Sequence, residues 1–254
     1  MSEWALITGA SSGIGYELAK WFAADRFNLV LVARNETTLK QLAGELRTQN
    51  GIQAKVLVKD LASTTAAQEI FDALHDTPIS ILVNNAGFGV YGPFAENDLR
   101  VQTDLMQVNM TALVQLTHLF LQPMLARGGG RILNVASTAA FQPGPAFSVY
   151  YASKAFVYSF SYALAEELKH AGIVVTTLCP GGTRTGFFAR AHLRTTRDWP
   201  MMDARRVAEM GYRGLMKGKR VVIPGVANQV ASTLAKFAPT RLAAKAVRKI
   251  HEQR

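Results

Sequence analysis

Seven short runs of branched apolar residues, spaced by longer stretches of helical periodicity, leave this chain few ways to fold. The runs are Trp4–Thr8, Asn28–Ala33, Ala54–Val58, Ile79–Val83, Arg131–Val135, Ile173–Leu178 and Arg220–Ile223. Continuous apolar runs of this length mark strands covered on both faces. Between them lie helix-like segments such as Tyr16–Ala24, Thr38–Thr48 and Thr65–Leu74. Strands that alternate with helical crossovers predict an α/β fold: a doubly wound, mostly parallel seven-stranded sheet with helices on both faces. Ligands bind such sheets outside the carboxyl ends of the strands, where the strand order reverses. No repeat, low-complexity tract or linker interrupts the 254 residues, and 49% of them are apolar, so one domain with one substantial core is expected over 1–254.

The turn after the first run is Gly9-Ala10-Ser11-Ser12-Gly13-Ile14-Gly15. Its glycines would let backbone approach a pyrophosphate, and the helix that follows supplies amide donors and a positive dipole end. The spacing is G-x-x-x-G-x-G and not the commoner G-x-G-x-x-G. At the end of the second run a carboxylate would favour NAD, whereas an arginine accommodates the 2′-phosphate of NADP. The chain has Ala33-Arg34-Asn35 there, with its nearest acid, Glu36, two residues on. Arg34 therefore points to NADP, although a cation in a loop is also an ordinary surface residue.

Tyr150 and Lys154 stand one helical turn apart in Tyr150-Tyr151-Ala152-Ser153-Lys154. A phenol keeps its proton until about pH 10, and a neighbouring ammonium would draw that pKa toward the range useful for general acid–base chemistry. In isolation the same spacing also describes a solvated helix face.

Five motifs in order settle the comparison: Thr8-Gly9-x3-Gly13-x-Gly15, Asp60-Leu61, Asn84-Asn85-Ala86-Gly87, Ser137 with Tyr150-x3-Lys154, and Pro180-Gly181. Over about residues 4–225 the chain resembles the short-chain dehydrogenase/reductases, in their compact single-domain form. The resemblance implies a Rossmann-type fold and an NADP(H)-dependent oxidoreductase that interconverts carbonyl and alcohol. It implies a catalytic set of Asn109, Ser137, Tyr150 and Lys154. Ser137 would hold the substrate oxygen, Tyr150 would exchange its proton, and Asn109 would hold a water that relays protons from Lys154. Lys154 would also bind the nicotinamide ribose. Cofactor contacts are implied at Gly9, Ser11, Ser12, Gly13, Ile14 and Gly15, at Arg34, and at Asp60 and Leu61 beside the adenine. Asn85, Ala86 and Gly87 would lie under the adenine ribose, while Pro180, Gly181, Thr183 and Thr185 would meet the nicotinamide amide and the phosphates. Homodimers or homotetramers paired through the helix bearing Tyr150 are likewise implied. Of the doubled tyrosines, family spacing selects Tyr150 and leaves Tyr151 to packing.

The substrate is less legible. Segments Phe88–Phe94, Ala139–Phe147 and Gly186–Met202 would border the site with Phe88, Tyr91, Phe94, Phe141, Phe147, Phe187, Phe188 and Trp199. Such a rim suggests a hydrophobic, lipid-like or acyl substrate. Residues at about 184–203 read as a lid, and its Arg190, His192, Arg194 and Arg197 either recognise an acidic group or face water.

The net charge of +10 sits in one place. Residues 1–204 carry 16 Lys/Arg against 16 Asp/Glu, and residues 205–254 carry 12 against two. The basic tail over about 226–254 is expected to end in an amphipathic helix after Pro239, capped by Thr240. Packing on the body is its default reading, and contact with an anionic membrane surface stays open. That tail keeps two alternatives in view: a non-catalytic cofactor-binding sensor, and a peripheral membrane or partner-binding protein. No nucleic-acid partner is expected, since no nucleic-acid motif accompanies the charge. The five histidines are scattered, so no metal is expected. A single cysteine, Cys179, the lack of a signal-like start and the lack of an 18-residue apolar run fit a cytoplasmic protein.

Overall fold

The computed structural model describes residues 3–191 and 201–252. The strands are β1 (Trp4–Thr8), β2 (Asn28–Ala33), β3 (Ala54–Val58), β4 (Ile79–Asn84), β5 (Gly130–Val135), β6 (Ile173–Leu178), β7 (Thr183–Arg184), β8 (Met202–Asp203) and β9 (Val221–Val222). The helices are α1 (Gly13–Ala24), α2 (Glu36–Asn50), α3 (Ala66–Asp72), α4 (Leu99–Met106), α5 (Ala112–Ala126), α6 (Ser148–Glu167), α7 (Phe187–Arg190), α8 (Ala204–Met216), α9 (Val226–Phe237) and α10 (Thr240–Glu252).

All seven expected strands form one parallel sheet in the order β3-β2-β1-β4-β5-β6-β9. The chain runs outward through β2 and β3, then crosses back over β1 to start β4. The order therefore reverses between β1 and β4, and their carboxyl ends open a crevice there. Side chains of β1 alternate between the two faces. Ala5 and Ile7 join the core beneath α1, α2 and α8, whereas Trp4 and Leu6 join the one beneath α3, α5 and α6. Asn35 caps α2 by accepting from Thr38 N at 3.0 Å, and Gly51 ends that helix in the left-handed region.

Two differences from expectation have local causes. β9 is shorter than Arg220–Ile223 because only Thr177 and Leu178 of β6 pair with it. A separate two-stranded parallel ladder joins β7 to β8, pairing Thr183 with Met202 and Arg184 with Asp203. The ladder ties together the two ends of the expected lid. Of that lid, His192, Arg194, Arg197 and Trp199 lie outside the described residues. The basic tail holds two helices, with Pro239 between them and Thr240 as the first residue of α10 and not its cap. No helix among the described residues is long and apolar enough to cross a membrane.

Candidate active site

A cleft of about 940 Å³ opens at the switch point between β1 and β4. Its lining includes Gly9, Ser11, Ser12, Gly13, Ile14, Arg34, Asp60, Leu61, Asn85, Ala86, Gly87, Ser137, Tyr150, Lys154, Pro180, Gly181, Thr183 and Thr185. Positions from Gly9 to Thr185 thus meet in one concavity, because most of them follow a strand end or open a helix, and Tyr150 and Lys154 lie in the first two turns of α6.

Thr8 and Asn85 build the floor. Thr8 Oγ1 donates to Val83 O at 3.2 Å and accepts from Asn85 N and Ala86 N, each at 3.0 Å. Asn85 Nδ2 returns to Thr8 O at 2.9 Å. These bonds pin the loop after β1 to the end of β4. Gly9 and Gly13 both have left-handed φ, and a Cβ on Gly15 would collide with Asn85 and with the Gly9 carbonyl. Only glycine lets the loop and the helix start close this tightly. The result is a bare backbone cradle at a helix N-terminus, which fits a dinucleotide pyrophosphate. Beyond it, Arg34 at the end of β2 and Asp60 just past β3 form an exposed ion pair. Lys59, Asn35 and Ala62, which the motifs did not single out, line the cleft beside them. A basic Lys59 next to Asp60 was the available signal.

The other end holds the catalytic candidates. Tyr150 and Lys154 lie on α6, buried, on the face turned to the cleft. Ser137 stands beside Tyr150, near enough to lower the pKa of its phenol. Ser137 Oγ also accepts from Ala139 N at 3.1 Å and donates to Pro180 O at 3.3 Å. Lys154 Nζ donates to Val135 O at 2.8 Å and stands 5.8 Å from the centroid of the Tyr150 ring. Burial lowers the Lys154 pKa to about 8, opposed by the neighbouring Cys179, whose thiol burial pushes up to about 12. Burial also raises the Tyr150 pKa above its ordinary range, against the lowering effect of Ser137. The expected pull of Lys154 on the phenol is therefore not what governs it here. Desolvation outweighs it, because both groups are buried in the cleft wall and the ammonium is turned to a backbone carbonyl.

Asn109 sits in a π-turn, Gln107–Thr111, set between α4 and α5. Its Oδ1 accepts from Phe88 N at 3.1 Å, and its Nδ2 donates to Phe88 O at 2.9 Å and to Ser153 Oγ at 3.0 Å. The carboxamide thus clamps the Gly87–Phe88 segment to α6. A Cβ on Gly87 would press on both Asn109 and Lys154.

Of the expected aromatic rim, Phe88, Phe147, Phe187 and Phe188 line the cleft. Phe147 stacks on Tyr150 at 4.6 Å and 21°, with Phe187 5.2 Å from the same ring. Tyr91 meets Phe147 edge-on, Phe94 is exposed, and Phe141 packs on Tyr158. Tyr151 both packs and lines the cleft beside Gly144.

A doubly wound parallel sheet with a glycine cradle at its switch point is the architecture of a dinucleotide-binding protein. The family model for short chain dehydrogenases matches residues 3–195. The chain belongs to the short-chain dehydrogenase/reductase family, whose members work with nicotinamide cofactors. It is 37% identical over 183 residues to mouse 17-beta-hydroxysteroid dehydrogenase type 3, covering 71% of this chain and 60% of that protein. Identity to the very-long-chain 3-oxoacyl-CoA reductase of Anas platyrhynchos is 37% over 188 residues, or 71% of this chain and 59% of that one. The chain thus spans about three fifths of the length of these relatives. A solved short-chain dehydrogenase from Sphingobium yanoikuyae in complex with NADPH superimposes with a TM-score of 0.85 at 33% identity, covering 92% of this chain and 93% of that one.

Proposed function

We propose that this chain is a single-domain, NADPH-dependent reductase of a hydrophobic carbonyl, with Tyr150 as the general acid. The observation that carries this reading is the position of Tyr150, buried in the wall of the cleft beside Ser137 and Lys154 and faced by Phe147 and Phe187. Burial keeps the Tyr150 proton in place at neutral pH, which suits a donor. Ser137 holds the substrate oxygen where the phenol can reach it. Lys154, still mostly protonated at neutrality with a pKa of about 8, faces the charge that a departing proton leaves on Tyr150. Asn109 keeps Gly87 and Phe88 in register with α6, so that the wall of the cleft does not shift.

The Gly9–Gly15 loop, Asp60, Leu61, Asn85, Ala86, Gly87, Pro180, Gly181, Thr183 and Thr185 are the residues that would hold the cofactor, and Arg34 would take its 2′-phosphate. When bound, the reduced nicotinamide supplies the hydride that attacks the carbonyl carbon. NADP over NAD is supported by Arg34 and by the NADPH held in the Sphingobium yanoikuyae structure. A lipid-like substrate is supported by the apolar wall and by the names of the two relatives, one a steroid dehydrogenase and the other a 3-oxoacyl-CoA reductase. Pairing into homodimers or homotetramers through α6 is supported by exposed Phe156 and Tyr162 on that helix.

The test follows NADPH consumption by absorbance against hydrophobic ketones, aldehydes and 3-oxoacyl thioesters, with NADH and the Tyr150→Phe variant alongside. Turnover with NADPH that vanishes in the variant is expected. Equal turnover by the variant would overturn the role of Tyr150.

A further inference from the structure

Helix α9 is built inside out. Toward the body it turns Asn228, Ser232 and Ala235, of which Ser232 is buried. Away from the body, Val226, Val230, Leu234 and Phe237 fall on one stripe, each between 54% and 83% exposed. A surface helix ordinarily does the reverse and buries its apolar stripe. A contiguous exposed stripe of large apolar side chains marks a surface meant to be covered.

The helix is fixed in this orientation. Asn228 Nδ2 donates to Pro224 O at 2.7 Å, and its side chain fills the space that a Cβ on Gly181 would need. At the other end Lys236 donates to Tyr158 Oη at 3.2 Å and lies over the Phe141 ring at 4.9 Å. Rolling α9 to bury its stripe would break both anchors.

Charge identifies the cover. Helices α9 and α10 carry five cations, Lys236, Arg241, Lys245, Arg248 and Lys249, against Glu252 alone. Directly after α9, helix α10 carries Arg241, Lys245 and Lys249, with Leu242 and Ile250 exposed among them. A second copy of this chain laid on the same face would bring like charges together. Nucleic acid offers negative charge but no apolar medium for four large side chains. An anionic lipid surface offers both.

We propose that α9 and α10 form a docking surface for an anionic bilayer. Val230, Leu234 and Phe237 enter the acyl boundary, while Arg241, Lys245 and Lys249 meet the lipid phosphates. Asn228 backs Gly181, which lines the cleft, so docking sets the cleft beside the lipid. Drawing a hydrophobic substrate from that lipid rests on the proposed function; the docking itself does not.

The experiment floats the full chain on vesicles of phosphatidylcholine alone and of an equal mixture of phosphatidylcholine and phosphatidylserine. Co-flotation with the mixed vesicles only is expected, weakening as salt rises from about 0.1 M to about 1 M and the Debye length falls from about 10 Å to about 3 Å. The Leu234→Asp/Phe237→Asp variant should lose roughly tenfold or more of the bound fraction, as should Arg241→Glu/Lys245→Glu/Lys249→Glu. Turnover on a water-soluble ketone and the circular dichroism spectrum should be unchanged in both, which separates lost docking from lost folding. Absence of wild-type flotation overturns the proposal. So does flotation that survives both variants, or a wild-type dimer that the Asp variant splits while vesicles bind neither protein. A wild type that floats yet turns over nothing would count against the reductase and leave the docking standing.

Discussion

Arg34 Nη1 and Asp60 Oδ2 face each other at 3.6 Å across the mouth of the cleft, joining the end of β2 to the loop after β3. Both are exposed, and exposed ion pairs add little stability because water screens them and two long side chains must be ordered. Arg34 can therefore turn to a phosphate at small cost. Charge-assisted hydrogen bonds contribute about 1.5–3 kcal/mol, or roughly ten- to a hundredfold in affinity. Arg34→Ala should weaken NADPH by about that factor and leave NADH nearly unchanged, as read by fluorescence titration of both cofactors. An unchanged NADPH to NADH ratio would remove Arg34 from the site.

Tyr150→Phe deletes one oxygen and keeps the ring that Phe147 stacks on. Cofactor affinity and thermal stability should stay close to wild type. Turnover should fall by at least about a hundredfold, the lower range for general acid–base catalysis. Ser137→Ala should also cost turnover, since the same phenol then loses the neighbouring hydroxyl that lowers its pKa. Retention of wild-type turnover in Tyr150→Phe would assign the proton to another group.

Strand positions were legible because each is a short run of branched apolar residues, buried on both faces in β1, β2 and β6, while the edge strand β3 exposes Lys55 and Val58. β1, β2, β3 and β6 begin and end where their apolar runs do. The site was legible for the same reason: Gly9, Asn85, Ser137 and Pro180 all follow strand ends. What could not be read was direction. The sequence places Lys154 one turn from Tyr150, but nothing in it says that the ammonium turns to Val135 O. Asn109 likewise carries no mark of the Phe88 backbone, 21 residues away, that it clamps. Helix α9 escaped notice because its apolar stripe faces outward, where periodicity arguments assume the core to lie.

Thr8 is the hinge pin between the first loop and β4. Its hydroxyl serves three backbone groups at once, all of them buried or half-buried. Thr8→Val keeps the shape and removes the oxygen, leaving Asn85 N–H and Ala86 N–H without that partner. Asn85 N–H keeps its second acceptor, Val83 O at 3.1 Å, so one donor, Ala86 N–H, is orphaned at about 1–3 kcal/mol, and a loss of about that size in urea denaturation is expected. Thr8→Ser, which keeps the oxygen, should recover most of it. NADPH binding should follow the same order, because the cradle rests on these bonds. Equal stability of the valine and serine variants would mean the hydroxyl holds nothing.

Lys154 should make activity and stability move in opposite directions with pH. Its pKa falls from 10.5 to about 8 in the folded chain because burial disfavours the ammonium. Below about pH 8 both folded and unfolded chains hold the proton, and the folded state bears the whole desolvation cost. Between about 8 and 10.5 only the unfolded chain holds it, so stability rises with pH across that window. The full excursion is on the order of 3 kcal/mol, at about 1.4 kcal/mol per unit. Lys154→Met removes the titration. The variant should be the more stable protein at pH 7, by less than the full excursion because it gives up the bond to Val135 O, and the wild type should overtake or match it by about pH 10. Over the same range wild-type kcat/KM for reduction should decline as the cation that faces the forming phenolate is lost, since kcat/KM reports pKa values of the free enzyme. Denaturation and rate profiles on one set of buffers check both arms. A stability difference between wild type and variant that does not change from pH 7 to pH 10 would show that Lys154 titrates as an ordinary lysine, and the declining rate limb would then need another group.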